Sequence, residues 1–156
     1  MTPERVDAYI AVGANLGDAP ATVRAALAAL DGLPQTRLVQ ASSLYRTAPW
    51  QAQGPDFINA VAHVRTGLEA MALLQALHTL EDAAGRARPY VNAPRTLDLD
   101  LLLHGHTRSQ TPALTVPHPR MWARAFVLVP LAEIAPALVS TQALQAVADQ
   151  AIERLP

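Results

Sequence analysis

Residues Thr96-Leu97-Asp98-Leu99-Asp100-Leu101-Leu102-Leu103 alternate acid with leucine and then become wholly apolar. Alternation of period two is the signature of a strand. It puts Leu97, Leu99 and Leu101 on one face and Asp98 and Asp100 on the other. The leucines make a core face, whereas Asp is a poor strand former. Carboxylates at i and i+2 stand only about 7 Å apart along the backbone. Such charges repel unless a cation sits between them or one takes a proton. The acidic face is therefore either the solvated side of an edge strand or a cation site. Immediately upstream, the stretch from Arg86 to Arg95 holds Arg86, Arg88 and Arg95 together with Pro89 and Pro94. That composition is a basic loop. Guanidinium forks suit phosphate oxygens; the plainer reading is a solvated loop neutralising the acids. Both readings place positive charge beside Asp98 and Asp100.

A strand with one buried face needs a core. The chain has 156 residues, 51% of them hydrophobic and 4% aromatic. This is enough for one domain spanning 1–156, with a core mostly of Ala, Leu and Val. The formal net charge of −1 argues against nucleic acid as a partner, because any anion site must be local. The absence of cysteine excludes disulfides, thiolate catalysis and cysteine-held metals, and fits a reducing, cytoplasmic compartment. No signal peptide or membrane-length apolar run is visible, so no membrane partner is expected. A monomer is the expectation. Prolines at 89, 94, 112, 117, 119 and 130 predict long irregular loops in the second half.

Along the chain, residues 7–13 read as a buried first strand. Gly13 to Asp18 breaks it, and Asp18 can cap a helix with Pro20 in its first turn. Val23, Ala26, Leu27 and Leu30 give that helix its apolar stripe, and Asp31-Gly32 ends it. The Gly13–Gly17 turn lacks the Lys-Ser/Thr of a P-loop and the third glycine of a dinucleotide fingerprint, and is read as a plain strand-to-helix turn. A second strand is predicted from about Thr36 to Tyr45, with Leu38 and Leu44 in the core. A loop from Thr47 to Pro55 follows, in which Trp50 would be a surface lid or a stacking platform. The third strand, from about Asp56 to Val64, puts Phe57, Asn59 and Val61 on one face. Asn59 is either a bulge residue paired to backbone or, beside Phe57 and Trp50, the polar edge of a pocket for a flat heteroaromatic ligand. Residues 69–84 carry helical periodicity stopped by Gly85. In this helix His78 and Glu81 read as an exposed polar stripe. Beyond the acidic strand, His104-Gly105-His106 is a turn. Leu114 to Met121 is a short strand ending in a bend, where Pro117 and Pro119 hold His118. Helices are expected over Val127–Ile134 and Leu144–Ile152.

Strand, helix, strand, strand, helix, strand is the order over residues 7–103. This is the ferredoxin-like βαββαβ layout of the α+β class: an antiparallel sheet with helices on one face, followed here by a C-terminal helical extension. The acidic strand would be the fourth, with the open face left for ligands and the proline-rich loops.

The sequence also resembles the 6-hydroxymethyl-7,8-dihydropterin pyrophosphokinases of folate biosynthesis, over nearly its whole length. The resemblance rests on Tyr-Ile-Ala-Val-Gly-Ala-Asn-Leu-Gly at 9–17, Ser-Ser-Leu-Tyr-Arg-Thr at 42–47 and Asp-Phe-Ile-Asn-Ala-Val at 56–61. It continues with Glu81 and Gly85-Arg86-Ala87-Arg88, Pro94-Arg95-Thr96-Leu97-Asp98-Leu99-Asp100, Leu114-Thr115-Val116-Pro117-His118, and Arg124-Ala125-Phe126-Val127-Leu128 with Pro130-Leu131. The Pro-Arg-Thr-Leu-Asp-Leu-Asp run is specific by itself.

The resemblance implies transfer of pyrophosphate from ATP to the hydroxymethyl group of the pterin, leaving AMP. It implies Asp98 and Asp100 as ligands of two Mg²⁺ ions, and Arg86 and Arg95 as catalytic-loop arginines over the phosphates. It implies ATP contacts at His78, Glu81, Arg86, Arg88, Arg95, Thr115, His118 and Arg124, with Leu101 contributing through its backbone. It implies a pterin pocket of Thr47, Ala48, Trp50, Phe57, Asn59 and Phe126, the ring lying between Phe57 and Phe126. This chain departs from some members at Asn92, where they carry Trp, and at His78, where they carry Gln. The alternative is a non-catalytic ferredoxin-like module binding a metabolite or RNA. The low aromatic content and net charge speak against an RNA surface.

Overall fold

The computed structural model describes residues 4–48, 55–84 and 97–156. Its elements are β1 (Val6–Ala14), α1 (Ala19–Leu30), β2 (Thr36–Ala41), β3 (Tyr45–Thr47), β4 (Phe57–Thr66), α2 (Ala70–Ala84) and β5 (Asp98–His104). A small hairpin, β6 (Ser109–Gln110) and β7 (Thr115–Val116), comes next. After it come α3 (Ala125–Ile134), α4 (Thr141–Ala146) and β8 (Glu153–Arg154). The main sheet runs β5-β1-β4-β3-β8, and β2 also pairs with β4. All its pairings are antiparallel. With α1 joining β1 to β2 and α2 joining β4 to β5, this is the expected ferredoxin-like core. No helix among the described residues is long and apolar enough to cross a membrane.

The period-two patterning sorts side chains onto the two faces. Ala8, Ile10, Val12 and Ala14 of β1, Ile58, Ala60, Ala62 and Val64 of β4, and Leu97, Leu99 and Leu101 form one buried cluster with α1 and α2. Helix α1 starts as its sequence dictates. The Asp18 carboxylate accepts from the Ala21 N–H at 3.2 Å, Pro20 lies in the first turn, and Gly17 takes the left-handed backbone (φ +59°) that the preceding turn needs.

The other face is not left fully open. Ala11, Val61 and Leu102 pack there against Met121, Ala125, Val127, Leu128 and Leu131, so the C-terminal extension covers part of it. A bulge helps. Tyr9 pairs with Leu103 but Ile10 with Leu101, so Leu102 is the extra residue. Leu102 lies on the acids' face, as the alternation places it, and packs buried in the cluster with α3, and the bulge brings Leu103 to the same face. At the far end of this face Tyr9 stacks on His63, with ring centroids 4.7 Å apart, and Asp7 pairs with His63 and Arg65.

Two expected boundaries need correction. The strand predicted over Thr36–Tyr45 is interrupted after Ala41. Ser42 exchanges bonds with Val61, its N–H donating to the Val61 carbonyl at 2.9 Å and its Oγ accepting from the Val61 N–H at 2.9 Å. A side chain thus replaces one rung of the ladder and the chain steps outward. The helix predicted over Leu144–Ile152 is instead α4, Thr141–Ala146, begun by the Ser140 cap, followed by a turn and β8. Residues 153–154 pair with Tyr45 and Arg46, and the Leu155 N–H donates to the Leu44 carbonyl at 2.8 Å. Apolar periodicity alone could not show that a sheet edge was waiting for these residues.

Candidate active site

The acidic pair sits where the alternation puts it. Asp98 stands opposite Gly13 and Asp100 opposite Ala11 across the β5–β1 ladder. Asp98 is exposed and Asp100 half-buried, while the leucines between and beside them are buried. On the next strand Gly13 is opposite Asn59, and Asn59 is opposite Tyr45 of β3. One row therefore runs across the sheet as Asp98, Gly13, Asn59, Tyr45. Neighbouring strands are about 4.8 Å apart, so Asp98 and Asn59 are separated by about 10 Å, with glycine between them. A Cβ at Gly13 would lie 3.1 Å from the Asn59 Oδ1. The bare backbone there gives the Asn59 carboxamide its room.

Asn59 is 5% exposed. Its Nδ2 donates to the Thr47 Oγ1 at 2.9 Å. An amide offers two donors and an acceptor with two lone pairs. Among the described residues this buried carboxamide bonds through one donor, to Thr47. Phe57, half-buried, starts β4 and pairs with Thr47, and Ala48 is exposed just beyond β3. On α3, Phe126 packs against the cluster that includes Val61 of β4, with the Arg124 guanidinium 5.4 Å from its ring centroid.

His118 is brought to the acids by its backbone, whose N–H donates to the Leu102 carbonyl at 2.9 Å. The preceding Val116–Pro117 bond is cis. Burial pushes the His118 imidazolium below its ordinary value, Asp100 opposes this, and the charges of Arg124 and Arg120 add to it. The ring is neutral at pH 7. Its Nδ1 accepts from the Arg120 N–H at 3.2 Å, so its proton is on Nε2, available to an anionic oxygen. Beside this segment a cavity of about 280 Å³ is lined by Arg108, Ser109, Gln110, Thr115, Pro117 and Pro119. It includes Thr115 but neither the acids nor Asn59. The cavity is therefore distinct from the row that carries the acids and Asn59.

His78 and Glu81 part company. His78 is exposed. Glu81 is 6% exposed, and its Oε2 accepts from the Leu99 N–H at 2.9 Å. The expected exposed stripe thus holds for His78 only, and Glu81 pins the end of α2 to the strand residue between the two acids. Leu101 is buried and pairs with Ile10. Trp50, Arg86, Arg88, Asn92 and Arg95 lie outside the described residues. The chain that carries the arginines leaves from Ala84 at the end of α2 and returns at Leu97, beside Asp98.

Gly13, which reads from sequence as the start of a turn, lies in the ladder opposite Asn59. Only the register reveals this. Among the described residues no group of three or more His, Asp or Glu forms a metal cage. A cation here would have the two carboxylates and its remaining ligands from elsewhere. That donor set suits Mg²⁺, which keeps waters and binds through one or two carboxylates plus phosphate oxygens.

Comparisons with known proteins show the family. A 2-amino-4-hydroxy-6-hydroxymethyldihydropteridine pyrophosphokinase from Pseudomonas aeruginosa is 45% identical over 155 residues, covering 95% of this chain and 96% of that protein. The protein of the same name from Haemophilus influenzae is 45% identical over 135 residues, covering 86% of this chain and 84% of its own. The folic acid synthesis protein fol1 of Schizosaccharomyces pombe is 33% identical over 150 residues, covering 96% of this chain but 20% of that longer protein. The profile of the 7,8-dihydro-6-hydroxymethylpterin-pyrophosphokinase family matches residues 9–136, and the chain belongs to that family.

Proposed function

We propose that the row Asp98–Gly13–Asn59 is the substrate floor of a pyrophosphokinase that moves the terminal two phosphates of ATP onto the hydroxymethyl oxygen of 6-hydroxymethyl-7,8-dihydropterin. The observation that carries this is Asn59, a carboxamide 5% exposed that is held on one side by Thr47 at 2.9 Å. It stands about 10 Å from Asp98 across one intervening strand. That is about the span of a two-ring heterocycle with a one-carbon arm. The polar edge of the pterin pairs with Asn59, and its ring lies between Phe57 and Phe126. Thr47, Ala48 and Trp50 complete the pocket, and the arm points towards the acids.

AMP leaves with the α-phosphate, so the bond that breaks is the α–β bridge and the bond that forms joins the pterin oxygen to the β-phosphorus. Asp98 and Asp100 hold Mg²⁺, two ions in this reading. When bound, the metal neutralises polyphosphate charge and aligns the attacking and leaving oxygens. The chain's residues supply position and compensating charge, which a loose phosphoryl transition state chiefly needs. Arg86 and Arg95, carried on the stretch between Ala84 and Leu97, supply guanidinium charge to the phosphates in this reading. Neutral His118 donates from Nε2, and Arg124 adds a guanidinium beside Phe126, so the two substrates meet at the start of α3. Thr115, His78, Glu81, Arg88 and the Leu101 backbone make up the rest of the nucleotide site. The enzyme acts on small molecules, as a single-domain monomer in the cytoplasm.

Calorimetry with a non-hydrolysable ATP analogue tests the assignment. Tight binding should require Mg²⁺ and should be lost in Asp100→Asn. Nucleotide binding of equal affinity without metal would overturn it.

A further inference from the structure

Helix α3 meets the sheet at two points on one stripe. Phe126 is near its start, and Glu133 lies seven residues on, two turns and about 10 Å along the axis. Opposite this stripe, the same face of β3 and its approach carries Ser43, Tyr45 and Thr47 in alternation. The Glu133 carboxylate takes three donors from there. The Ser43 N–H is shared between its two oxygens at 3.1 and 3.0 Å, the Ser43 Oγ donates at 3.0 Å, and the Tyr45 hydroxyl donates at 2.5 Å. Tyr45 is in register with Asn59. Two residues further on, Thr47 accepts the Asn59 amide at 2.9 Å. One end of α3 is therefore bonded to the chain that holds Asn59, and the other end carries Phe126, packed against the cluster that includes Val61 of β4.

The buried contacts of Val127, Leu128 and Leu131 hold α3 on the sheet, but apolar packing is non-directional and lets a helix slide. Hydrogen bonds are directional, and three donors on one carboxylate fix the helix along the strand. We propose that Glu133 is a positioning residue for the pterin: gripped by Ser43 and Tyr45, it sets the separation between Phe126 and the Asn59–Thr47 edge. This rests on the reading that those residues hold the pterin. Glu133 itself touches neither substrate.

Steady-state kinetics on Glu133→Ala, Glu133→Gln and Tyr45→Phe, with Asn59→Ala as a control, tests this. The expected result is a pterin KM raised by about tenfold in Glu133→Ala, with ATP KM changed far less. Gln, which still accepts the Ser43 N–H, should restore part of the loss, and Tyr45→Phe should shift the same constant in the same direction. Where Glu133→Ala fails to fold, the Gln and Phe variants carry the same comparison. ATP and pterin KM rising together would overturn the proposal, as would a pterin KM unchanged in all three variants while Asn59→Ala raises it. A pterin KM unchanged in Asn59→Ala as well would overturn the pterin-site reading on which the proposal rests.

Discussion

Gly13 and Asn59 face each other across β1 and β4, and the Cβ that Gly13 lacks would lie 3.1 Å from the Asn59 Oδ1. Gly13 is not among the residues with positive φ, so its backbone accepts alanine and the cost falls on the amide. Gly13→Ala should leave the fold intact and push Asn59 out of alignment by tenths of an ångström. The loss of one well-placed hydrogen bond is worth about 0.5–1.5 kcal/mol. Pterin KM should therefore rise by roughly two- to tenfold with ATP KM unchanged, as read by steady-state kinetics with each substrate varied in turn. Equal effects on both substrates would contradict the placement of Asn59.

Glu81 ties α2 to the acidic strand through the Leu99 N–H, 2.9 Å away in a buried setting. Glu81→Ala leaves that N–H unpaired, and a buried orphan donor costs about 1–3 kcal/mol. Urea denaturation followed by circular dichroism should show this loss. Glu81→Gln, which keeps an acceptor oxygen, should recover part of it. No difference between Ala and wild type would mean that water replaces the carboxylate freely.

The Glu133–Tyr45 pair predicts pH behaviour at both ends of the scale. Burial raises the Glu133 carboxyl. The bonds from Tyr45 and Ser43 and the charge of Arg154 outweigh this, for a net shift below 4.5. A depressed carboxyl contributes stability that is present above its unfolded value and is lost as pH falls through the lower, folded one. The stability difference between wild type and Glu133→Gln should therefore be constant above about pH 5 and shrink below 4.5. Tyr45 is pushed up to about 12, first by burial and then by Glu133. Its contribution is complete below pH 10 and is lost as pH rises towards 12. Thermal denaturation of wild type against Tyr45→Phe across that range checks this, and a difference vanishing already at pH 9 would contradict it.

The legible parts of this chain were those set by local period and local chemistry. Leu97, Leu99 and Leu101 are buried and Asp98 and Asp100 are not, as alternation requires. Asp18 caps α1 through its side chain, as its place before Ala19-Pro20 requires. What sequence could not show was which residue lies opposite which. Gly13 read as the start of a turn because its neighbour Asn59 is more than forty positions away. Glu81 read as exposed because the partner that buries it is a backbone N–H on another element. Glu133 carried no signal at all. It is a lone acid in an apolar helix, explained only by Ser43 and Tyr45 arriving from ninety residues upstream. Ser-Ser-Leu-Tyr-Arg-Thr stood out as a motif, but its work, breaking a strand at Ser42 and seating α3, belongs to tertiary structure.

The central claim is that Asp98 and Asp100 anchor metal for a pyrophosphoryl transfer and do not form an acid–base couple. A coupled assay for AMP tests it most directly, run on wild type, Asp98→Asn and Asp100→Asn with ATP, Mg²⁺ and the pterin alcohol. Wild type should form AMP only when both the metal and the pterin alcohol are present. Each variant, folded by circular dichroism, should lose at least about 10²–10³-fold in turnover. Near-normal AMP formation by both variants, or AMP formed by wild type without Mg²⁺, would contradict the account.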